Sequence, residues 1–450
     1  MKDTRLLTEG DVNFSESRKT WHGRLDGDTQ QALAADASVF LHQALSSPCL
    51  DELVACDGIW LTDRAGKRYM DFHGNNVHQV GYRNLHVLDR VRRQLDELPF
   101  SPRRYSNPVA TECAQRLTSL LPDPLHRVLF APGGTSVVGI ALKLARAITG
   151  KQKVISYEDS FHGASLDAIA AGGEEQFKRH MGPLADESIN IAQPVHYRSP
   201  TPGDDMHYAD LLEAAIVKDG QVGAFIAETV RNTDVQVPSR EYWKKVRTIC
   251  DRHGVLLILD EIPIAFGRTG RMFAFEHYGI VPDILCIGKG MGGGVFPIAA
   301  MIAREEYNRF AEISLGHYTW EKSPLGCAAA LGVMDCIEQE HLLDKVKDDE
   351  QFLCSALSAL MKKHDVIGDV RGIGLLWGIE LVLDRDTKEK ATGLAERTMY
   401  ACLERGMSFK VSQGNVLQLS PPLTIERTDL ENAMTILDAA LSDALRNGRD

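Results

Sequence analysis

The sequence has no excess of basic residues. Its 450 residues include 50 Lys and Arg against 62 Asp and Glu, which gives a formal net charge of −12 at pH 7. An acidic chain has no general attraction for nucleic acid phosphates or for an anionic membrane surface. We therefore expect neither as a partner, and we expect any anionic ligand to be held by a locally built site.

Cysteine pairs and long apolar runs are absent as well. The nine cysteines are odd in number and none stands in a C-x-x-C pair. This pattern is typical of reduced thiols in the cytoplasm and not of a disulfide framework or a metal site. The longest apolar run, at 295–303, is far shorter than the about 18 residues that cross a bilayer. The sequence thus predicts a cytoplasmic protein without a metal centre or a membrane segment.

What is present is the composition of a globular protein. Hydrophobic residues make up 44% and charged residues 25%, which is ordinary for such proteins, and the length suits two or three domains. Residues 1–30 are polar and predict an N-terminal arm. The helix and strand patterns after residue 335 predict a small α+β domain, built from 31–80 and 336–450, beside a large domain at 81–335.

Short apolar runs alternate with helical segments in the middle of the chain. The runs are 127–131, 153–157, 222–227, 255–259 and 284–287. Runs this apolar indicate strands that are covered on both faces, so the sequence predicts the α/β class with a mostly parallel central sheet. Ligands of such sheets bind beyond the carboxyl ends of the strands, and we expect the functional site there.

Four of these runs lead directly into glycine or polar residues, namely the turn at 133–136, Glu228, Asp260 and Lys289. A glycine turn that opens a helix can hold a phosphate, although an ordinary helix cap has the same pattern. A lysine between glycines can form a Schiff base, whereas most loop lysines are surface residues. A carboxylate that ends a buried strand needs a cationic or N–H partner, which is either a ligand or a salt bridge.

Taken together, five motifs resemble the class III aminotransferases, a group of fold-type I pyridoxal-phosphate enzymes. They are GGT at 133–135, FHG at 161–163, DE followed by FGRTG at 260–270, GKGMGGG at 288–294 and HYTWEKSPLGCAAAL at 317–331. The resemblance extends from about residue 40 to the C-terminus, and the block from 260 to 289 is its most specific part.

This resemblance implies pyridoxal 5'-phosphate as the cofactor and assigns its binding residues. Lys289 would form the Schiff base with the cofactor, and Asp260 would keep the pyridine nitrogen protonated. The other implied contacts are Gly134 and Thr135 at the phosphate, Phe161 and Ile262 on the two faces of the ring, His162 and Glu228 beside it, and Thr319 from a neighbouring subunit. The role of Thr319 implies a homodimer with shared active sites.

The sequence departs from the family at the site for the substrate carboxylate. The family usually has an arginine before the L-x-P-P-L motif, and Gln418 stands in its place in N-V-L-Q-L-S-P-P-L at 415–423. A neutral amide cannot replace the two-pronged guanidinium as a partner for a carboxylate. This departure argues against an α-amino acid or a keto acid as the normal substrate, and so against transamination.

Cations and polar groups appear instead in segments that border the expected site. Arg231 replaces a family glutamine, Arg104 lies in a pair of arginines, Lys410 follows Phe409, and the stretch at 73–79 contains Asn76 and His78. We predict these residues and Gln418 as the substrate site. In an acidic protein, such cations favour a dianionic head group such as phosphonate or phosphate, although solvated or paired cations are the alternative.

Four further segments resemble one branch of the family, the (R)-1-hydroxy-2-aminoethylphosphonate ammonia-lyases. They are FHGNNVHQVGY at 72–82, APGGTS at 131–136, GHYTWEKSP at 316–324 and SFKVSQGNVL at 408–417. The resemblance implies that Lys289 takes a proton from the amine-bearing carbon, after which the neighbouring hydroxyl leaves. Phosphonoacetaldehyde and ammonia are the expected products, and Lys289, His78 and Tyr105 are candidates for the acid that assists the hydroxyl.

Three other functions stay open at this point. The first is an ω-aminotransferase for 2-aminoethylphosphonate or another primary amine, and the second is a phospho-lyase for an amino-alcohol phosphate. The third is a non-catalytic protein with the same fold, which would need neither Lys289 nor Asp260. Ammonia release without a keto acid, a pyridoxamine absorbance and inorganic phosphate release distinguish the catalytic alternatives.

Overall fold

A computed structural model describes residues 15–43, 48–185, 187–201 and 203–446. The helices are α1 (Glu16–Arg24), α2 (Gly27–Val39), α3 (Leu85–Glu97), α4 (Pro108–Ser119), α5 (Gly134–Thr149), α6 (Leu166–Ala171), α7 (Glu175–Lys178), α8 (Met206–Asp219), α9 (Arg240–His253), α10 (Pro324–Gln339), α11 (Leu342–Lys363), α12 (Thr392–Glu404) and α13 (Arg427–Arg446). The strands are β1 (Leu53–Asp57), β2 (Trp60–Asp63), β3 (Arg68–Asp71), β4 (Leu125–Ala131), β5 (Lys153–Tyr157), β6 (Ser188–Ile191), β7 (Val222–Glu228), β8 (Leu256–Asp260), β9 (Ile284–Ile287), β10 (Ala299–Arg304), β11 (Ile367–Ile373), β12 (Leu376–Leu381), β13 (Met407–Ser408), β14 (Lys410–Ser412) and β15 (Val416–Leu419).

The central sheet has seven strands in the order β4-β10-β9-β8-β7-β5-β6. Only β10 runs antiparallel to its neighbours within this sheet, and the other pairs are parallel. Every residue of β7, β8 and β9 is buried, because helices cover the sheet on both faces. The predicted α/β class with a mostly parallel central sheet is therefore confirmed.

Helix α5 shows how the sequence sets the limits of an element in this layer. It begins at Gly134 without a side-chain cap and ends at Gly150, whose φ of 68° is left-handed. A left-handed glycine after the last turn satisfies the final carbonyls and stops the helix. The buried side of α5 is apolar and contacts β4, β7, β9 and β10, so the glycine turn at its start is held against the sheet.

Two four-stranded sheets flank the central one, with the orders β1-β2-β3-β13 and β11-β12-β15-β14. Strand β13 pairs in parallel with β3, so a late segment of the chain completes an early hairpin sheet. Phe72 connects the two sheets, because its N–H donates to the Ser408 carbonyl at 2.8 Å and its carbonyl accepts from the Ser420 N–H at 2.7 Å. The expected domain boundaries near residues 30, 80 and 335 stay a prediction.

The predicted N-terminal arm falls partly on residues 1–14, which lie outside the described residues. Its described part forms α1 and the start of α2. Trp21 is buried, its ring lies 6.1 Å from that of Tyr400, and its Nε1 donates to the Leu50 carbonyl at 2.9 Å. Through Trp21, α1 packs against α12.

The structure shows the state of the cysteines and the character of the helices. All nine cysteines lie in the described ranges and carry free thiols. Among the helices of those ranges, none combines the length and the apolar character needed to cross a membrane.

Candidate active site

Asp260 is the buried centre of the site. It ends β8, where its Oδ2 lies 2.8 Å from His162 Nδ1 and its Oδ1 accepts the Ile262 N–H at 3.0 Å. The carboxylate accepts the Nδ1 proton, which leaves Nε2 as the second hydrogen-bonding atom of the His162 ring. That Nε2 is buried and has no hydrogen-bond partner. An unpaired polar atom at this depth points to a ligand group that would complete it.

Lys289 follows the neighbouring strand and opens a short turn, Lys289–Gly292. Asp260 pairs with Cys286 in the parallel register of β8 and β9, so both functional residues leave the sheet at the same edge. The Lys289 side chain is exposed and its φ is 45°, a left-handed value. Gly290 is required beside it, because a Cβ there would overlap the buried amide of Gln79.

The glycine turn before α5 packs tightly against the FHG loop. Thr135 Oγ1 lies 2.6 Å from Ser165 Oγ and accepts the Ser165 N–H at 3.1 Å. A Cβ on Gly163, whose φ is 131°, would lie 2.5 Å from Thr135 Oγ1. The first N–H groups of α5 have no side-chain cap, and a helix start of this kind stabilises a phosphate dianion.

Hydrophobic and acidic side chains complete this edge of the sheet. Ile262 is buried beside Gly134, where a Cβ would lie 2.9 Å from Ile262 Cδ1. Phe161 is partly buried and its ring lies 4.6 Å from that of Phe177. Glu228 is opposite Asp260 in the register of β7 and β8 and accepts the Asn232 N–H at 3.0 Å.

The Glu228 carboxyl is buried at this edge of the sheet. Burial raises its pKa above the ordinary value, while the attraction of Arg231 and His162 opposes this shift. Together, a phosphate-binding helix start, a lysine, a buried aspartate and an unpaired histidine nitrogen fit the pyridoxal phosphate implied by the sequence motifs. The structure thus brings the predicted cofactor residues of this chain to one edge of the sheet, with the exception of Thr319.

Thr319 and Arg104 lie on the exposed side of the molecule. Thr319 is exposed in the loop between β10 and α10. Arg104 is also exposed, and the described part of the chain offers it no hydrogen bond or ion pair. The adjacent Arg103 bonds to His317 in the Thr319 loop, so the two segments are neighbours.

Arg231 differs from the expectation of an available cation. Its side chain is only 5% exposed, Nη1 donates to Asp234 Oδ1 at 2.7 Å, and Nη2 donates to the Asp159 carbonyl at 2.6 Å. A buried guanidinium needs such partners to offset its lost hydration. The geometry therefore argues against Arg231 as a ligand for the substrate head group.

His78 and Asn76 are also buried and support a turn. His78 Nε2 bonds to the Asp71 carbonyl at 3.1 Å, and its ring lies 5.4 Å from that of Tyr82. Burial lowers the pKa of His78, so the ring is neutral near pH 7. Asn76 is 1% exposed, with an unpaired Oδ1. This placement argues against His78 as an acid for a solvent-borne substrate.

Lys410 and Gln418 form a pair across two strands. They are direct partners in the antiparallel register of β14 and β15, so their side chains project from the same face. Gln418 is fully buried, its Oε1 accepts from Ser412 Oγ at 3.4 Å, and its Nε2 has no hydrogen-bond partner. A cation thus stands beside the amide that replaces the family arginine.

His73 opens the stretch at 73–79, from which only Asn76 and His78 are predicted as substrate residues. It follows Phe72, which is held between the Ser408 and Ser420 segments, and it opens a turn that contacts the Lys289 turn. Burial, followed by repulsion from the Lys410 ammonium, lowers the pKa of His73 far below its ordinary value, with a further contribution from Lys289.

The turn after His73 has an unusual backbone. Gly74, Asn75 and Asn76 have successive φ values of 46°, 47° and 57°. Left-handed residues in sequence are costly and are retained where the surrounding structure fixes them, often at functional sites. Here the buried His78 ring fixes the turn, since a Cβ on Gly74 would overlap it.

Comparison with known proteins agrees with this arrangement. The sequence model of the class III aminotransferases matches residues 46–441. The chain is 54% identical to the (R)-1-hydroxy-2-aminoethylphosphonate ammonia-lyase of Vibrio splendidus, over 99% of this chain and 97% of that protein.

Solved structures share the fold along nearly their whole length. An (S)-enantioselective omega-transaminase from Thermomicrobium roseum superposes with a TM-score of 0.87 at 29% identity, covering 92% of this chain and 99% of that one. A taurine:2-oxoglutarate aminotransferase from Bifidobacterium kashiwanohense gives 0.88 at 26% identity, covering 94% and 99%. The motifs, the sheet and these matches lead to one conclusion: the chain belongs to the class III aminotransferase family.

Proposed function

We propose that this chain is a pyridoxal-phosphate-dependent ammonia-lyase that converts (R)-1-hydroxy-2-aminoethylphosphonate to phosphonoacetaldehyde and ammonia. The observation that carries the proposal is the pair formed by Gln418 and Lys410. A buried neutral amide lacks the charge and the two-pronged geometry with which an arginine holds the carboxylate of a keto acid, whereas the adjacent ammonium suits a phosphonate. The 54% identity to a protein of this name, over nearly the full length of both, supports the same activity.

The cofactor residues have distinct tasks in this proposal. Bound pyridoxal phosphate supplies an electron sink for the charge left when a proton leaves the carbon next to the amine. Lys289 would hold the cofactor and, as a free amine, would take that proton. Asp260 would keep the pyridine nitrogen protonated, and His162 orients the Asp260 carboxylate through the 2.8 Å contact.

The remaining cofactor residues bind and enclose the group. Gly134 and Thr135 hold the phosphate at the start of α5, Phe161 and Ile262 enclose the ring, and Glu228 lies beside it. The start of α5 and the buried positions of Ile262 and Glu228 support these assignments.

The substrate head group is anchored by Lys410 in this proposal. The ammonium makes charge-assisted hydrogen bonds to the phosphonate oxygens. The unpaired Gln418 Nε2 is a further donor on the same face. Arg231 stabilises the loop at 231–236 through Asp234 instead of contacting the substrate.

We also propose a cytoplasmic homodimer with shared active sites and with the two-domain division expected from the sequence. The exposed Thr319 lies in a loop that also presents Ile313 and Trp320, which are 45% and 44% exposed in the single chain. Apolar side chains of this size favour a covered interface. The nine free thiols support the cytoplasmic location.

One assay tests the proposed activity. Purified protein with pyridoxal phosphate and racemic 1-hydroxy-2-aminoethylphosphonate, without a keto acid, should release ammonia and aldehyde in equal amounts until half of the racemate is consumed. The Lys289→Ala variant should release neither. Ammonia that forms only when a keto acid is added, together with a pyridoxamine absorbance, would make the chain an aminotransferase instead. Release of inorganic phosphate from an amino-alcohol phosphate would make it a phospho-lyase.

A further inference from the structure

We propose that His86, Cys336 and Glu340 bind a zinc ion. Within the described part of the chain, these residues are the one group of three or more His, Cys, Asp and Glu side chains whose ligand atoms all lie within 4.8 Å of one another. Imidazole nitrogen, thiolate sulfur and carboxylate oxygen are the atoms that bind Zn²⁺ in proteins. None of the three belongs to the proposed cofactor or substrate residues, so the site does not depend on the proposed lyase activity.

Two packed helices hold the three side chains. His86 lies in the first turn of α3, whereas Cys336 lies in the last turn of α10 and Glu340 directly follows that helix. The Glu340 N–H donates to the Cys336 carbonyl at 3.0 Å, so these two side chains share one side of α10. One turn before Cys336, Gly332 allows α3 to come close, because a Cβ there would lie 2.7 Å from the His86 carbonyl oxygen. The fold thus brings the ligands together without the ion.

The distances suit a tetrahedral ion. With Zn–N and Zn–O bonds of about 2.0 Å and a Zn–S bond of about 2.3 Å, neighbouring ligand atoms lie roughly 3.3–3.5 Å apart. His86 Nε2 is 3.3 Å from Glu340 Oε1, and the Cys336 sulfur is within 4.8 Å of both atoms. The side chains of His86 and Glu340 are 30% and 43% exposed. This exposure gives the ion a way in and leaves its fourth position to water.

Asn84 supports two of the three ligands. Its Nδ2 donates to Cys336 Sγ at 3.3 Å and to the Val80 carbonyl at 2.9 Å, while its Oδ1 accepts the His86 N–H at 3.0 Å. Partners of this kind orient the ligands of a metal site. An N–H that donates to sulfur also favours the thiolate, which is the form that binds metal.

Zinc binding replaces the proton of the Cys336 thiol. Burial, followed by the charge of Glu340, raises the pKa of this thiol to about 12, so the metal-free site holds a protonated thiol. Coordination releases that proton to solvent, and no oxidant or reductant takes part. The two positive charges of the ion offset the repulsion between the thiolate and the Glu340 carboxylate. The cysteine spacing carries no signal of this site, because its ligands come from helices that are far apart in the sequence.

Titration of the purified holoenzyme, freed of metal by dialysis against a chelator, tests the site. Competition with a chromogenic zinc chelator measures stoichiometry and affinity, and we expect one Zn²⁺ per chain. Zinc should also raise the urea midpoint, since an ion held between α3 and α10 binds the folded state. Co²⁺ in place of Zn²⁺ should give the visible absorption of tetrahedral cobalt with a thiolate ligand, at longer wavelengths than the cofactor band.

Three variants locate the ion. Cys336→Ser should weaken zinc binding by more than the about 10- to 100-fold that is typical of a lost outer partner. Glu340→Gln changes a partly exposed side chain and should also weaken binding. Cys354→Ser alters an exposed thiol on α11 and should bind zinc as the wild type does. The cofactor absorbance and the urea midpoint without metal report on correct folding.

Two results would overturn the inference. A wild-type protein that binds no zinc, or that binds cobalt without the thiolate spectrum, would exclude the site. Unchanged zinc affinity in Cys336→Ser and Glu340→Gln would place the ion elsewhere, at Cys354 or at the cofactor. If Cys336→Ser does not fold, Glu340→Gln decides alone. Ammonia release by the metal-free wild type tests the proposed function separately, so failure of one proposal is distinguishable from failure of the other.

Discussion

At the scale of single residues, the site owes its specificity to partners that lie far apart in sequence. The strand patterns before Asp260 and Lys289 predicted that both residues lie at one edge of the sheet, and the parallel pairing of β8 and β9 agrees. The surroundings of Arg231 could not be predicted in this way, because one of its two partners, the Asp159 carbonyl, is 72 residues away in the sequence.

Lys410 provides the first prediction at this scale. We expect Lys410→Met to raise KM for the hydroxyaminophosphonate by about 10- to 100-fold, since a charged hydrogen bond contributes about 1.5–3 kcal/mol. Steady-state kinetics measures the change, and Lys363→Met, at a surface lysine paired with Asp438, is the control. An unchanged KM would mean that another group holds the phosphonate.

At the scale of elements, the tight join between the α5 turn and the FHG loop has a measurable consequence. Gly163→Ala places a methyl group 2.8 Å from Thr135 Cα in a left-handed conformation. We expect a loss of cofactor affinity along with a lower free energy of unfolding, because the loop must move away from the helix start.

A matched glycine separates crowding from backbone strain. Gly150 also has a positive φ, but nothing lies within 4 Å of an added Cβ. Gly150→Ala should therefore lower the free energy of unfolding by roughly 1–2 kcal/mol of backbone strain and leave cofactor affinity unchanged. Cofactor titration measures the affinity, and urea unfolding measures the free energy of unfolding. Equal cofactor affinity of the two variants would show that the contact between Gly163 and Thr135 does not affect cofactor binding.

Glu261 joins the ends of β7 and β8 to the segment at 274–275. It accepts from Thr229 Oγ1 at 2.8 Å and from the Ala274 and Phe275 N–H groups at 2.7 Å. Burial raises the pKa of Glu261 from 4.5 to about 7. Between pH 4.5 and about 7, the folded state therefore keeps the Glu261 proton, whereas the unfolded chain releases it. The free energy of unfolding consequently falls as the pH rises through this range.

The Glu261→Gln variant tests this dependence. It has no titrating group at this position, so its urea midpoint should decline less than that of the wild type between pH 4.5 and 7. The surface variant Glu338→Gln should follow the wild type. Parallel curves for Glu261→Gln and the wild type would show that Glu261 is ionised in the folded protein throughout this range.

The parallel strands were predictable as elements, but the antiparallel β10 was not. Its sequence belongs to a continuous apolar run at 295–303, which carries no signal of strand direction. Its direction follows from its position between β4 and β9 in the sheet. The edge strand β6 is short and only partly buried, so it lacks the apolar run that identified its neighbours.

At the scale of the whole molecule, the proposed shared sites predict complementation. As homodimers at limiting cofactor, the Lys289→Ala chains should be inactive and the Thr319→Ala chains weakly active. A mixed dimer, isolated with two different tags, contains one site with both native residues, and we expect about half of the wild-type activity when each site acts independently. If Thr319 served the site of its own chain, each site of the mixed dimer would carry one substitution. The mixed dimer would then be no more active than the two homodimers.

The pairing of β13 with β3 has a consequence for the order in which a ribosome completes this protein. The cofactor edge is encoded between residues 133 and 289, whereas the substrate anchor needs Phe72 to be bracketed by Ser408 and Ser420. During synthesis, the ribosome therefore completes the proposed cofactor residues of one chain, apart from Thr319, before it reaches Lys410 and Gln418, the proposed residues for the substrate head group. A chain that stopped before residue 407 would carry the residues of the chemistry without those of the selectivity.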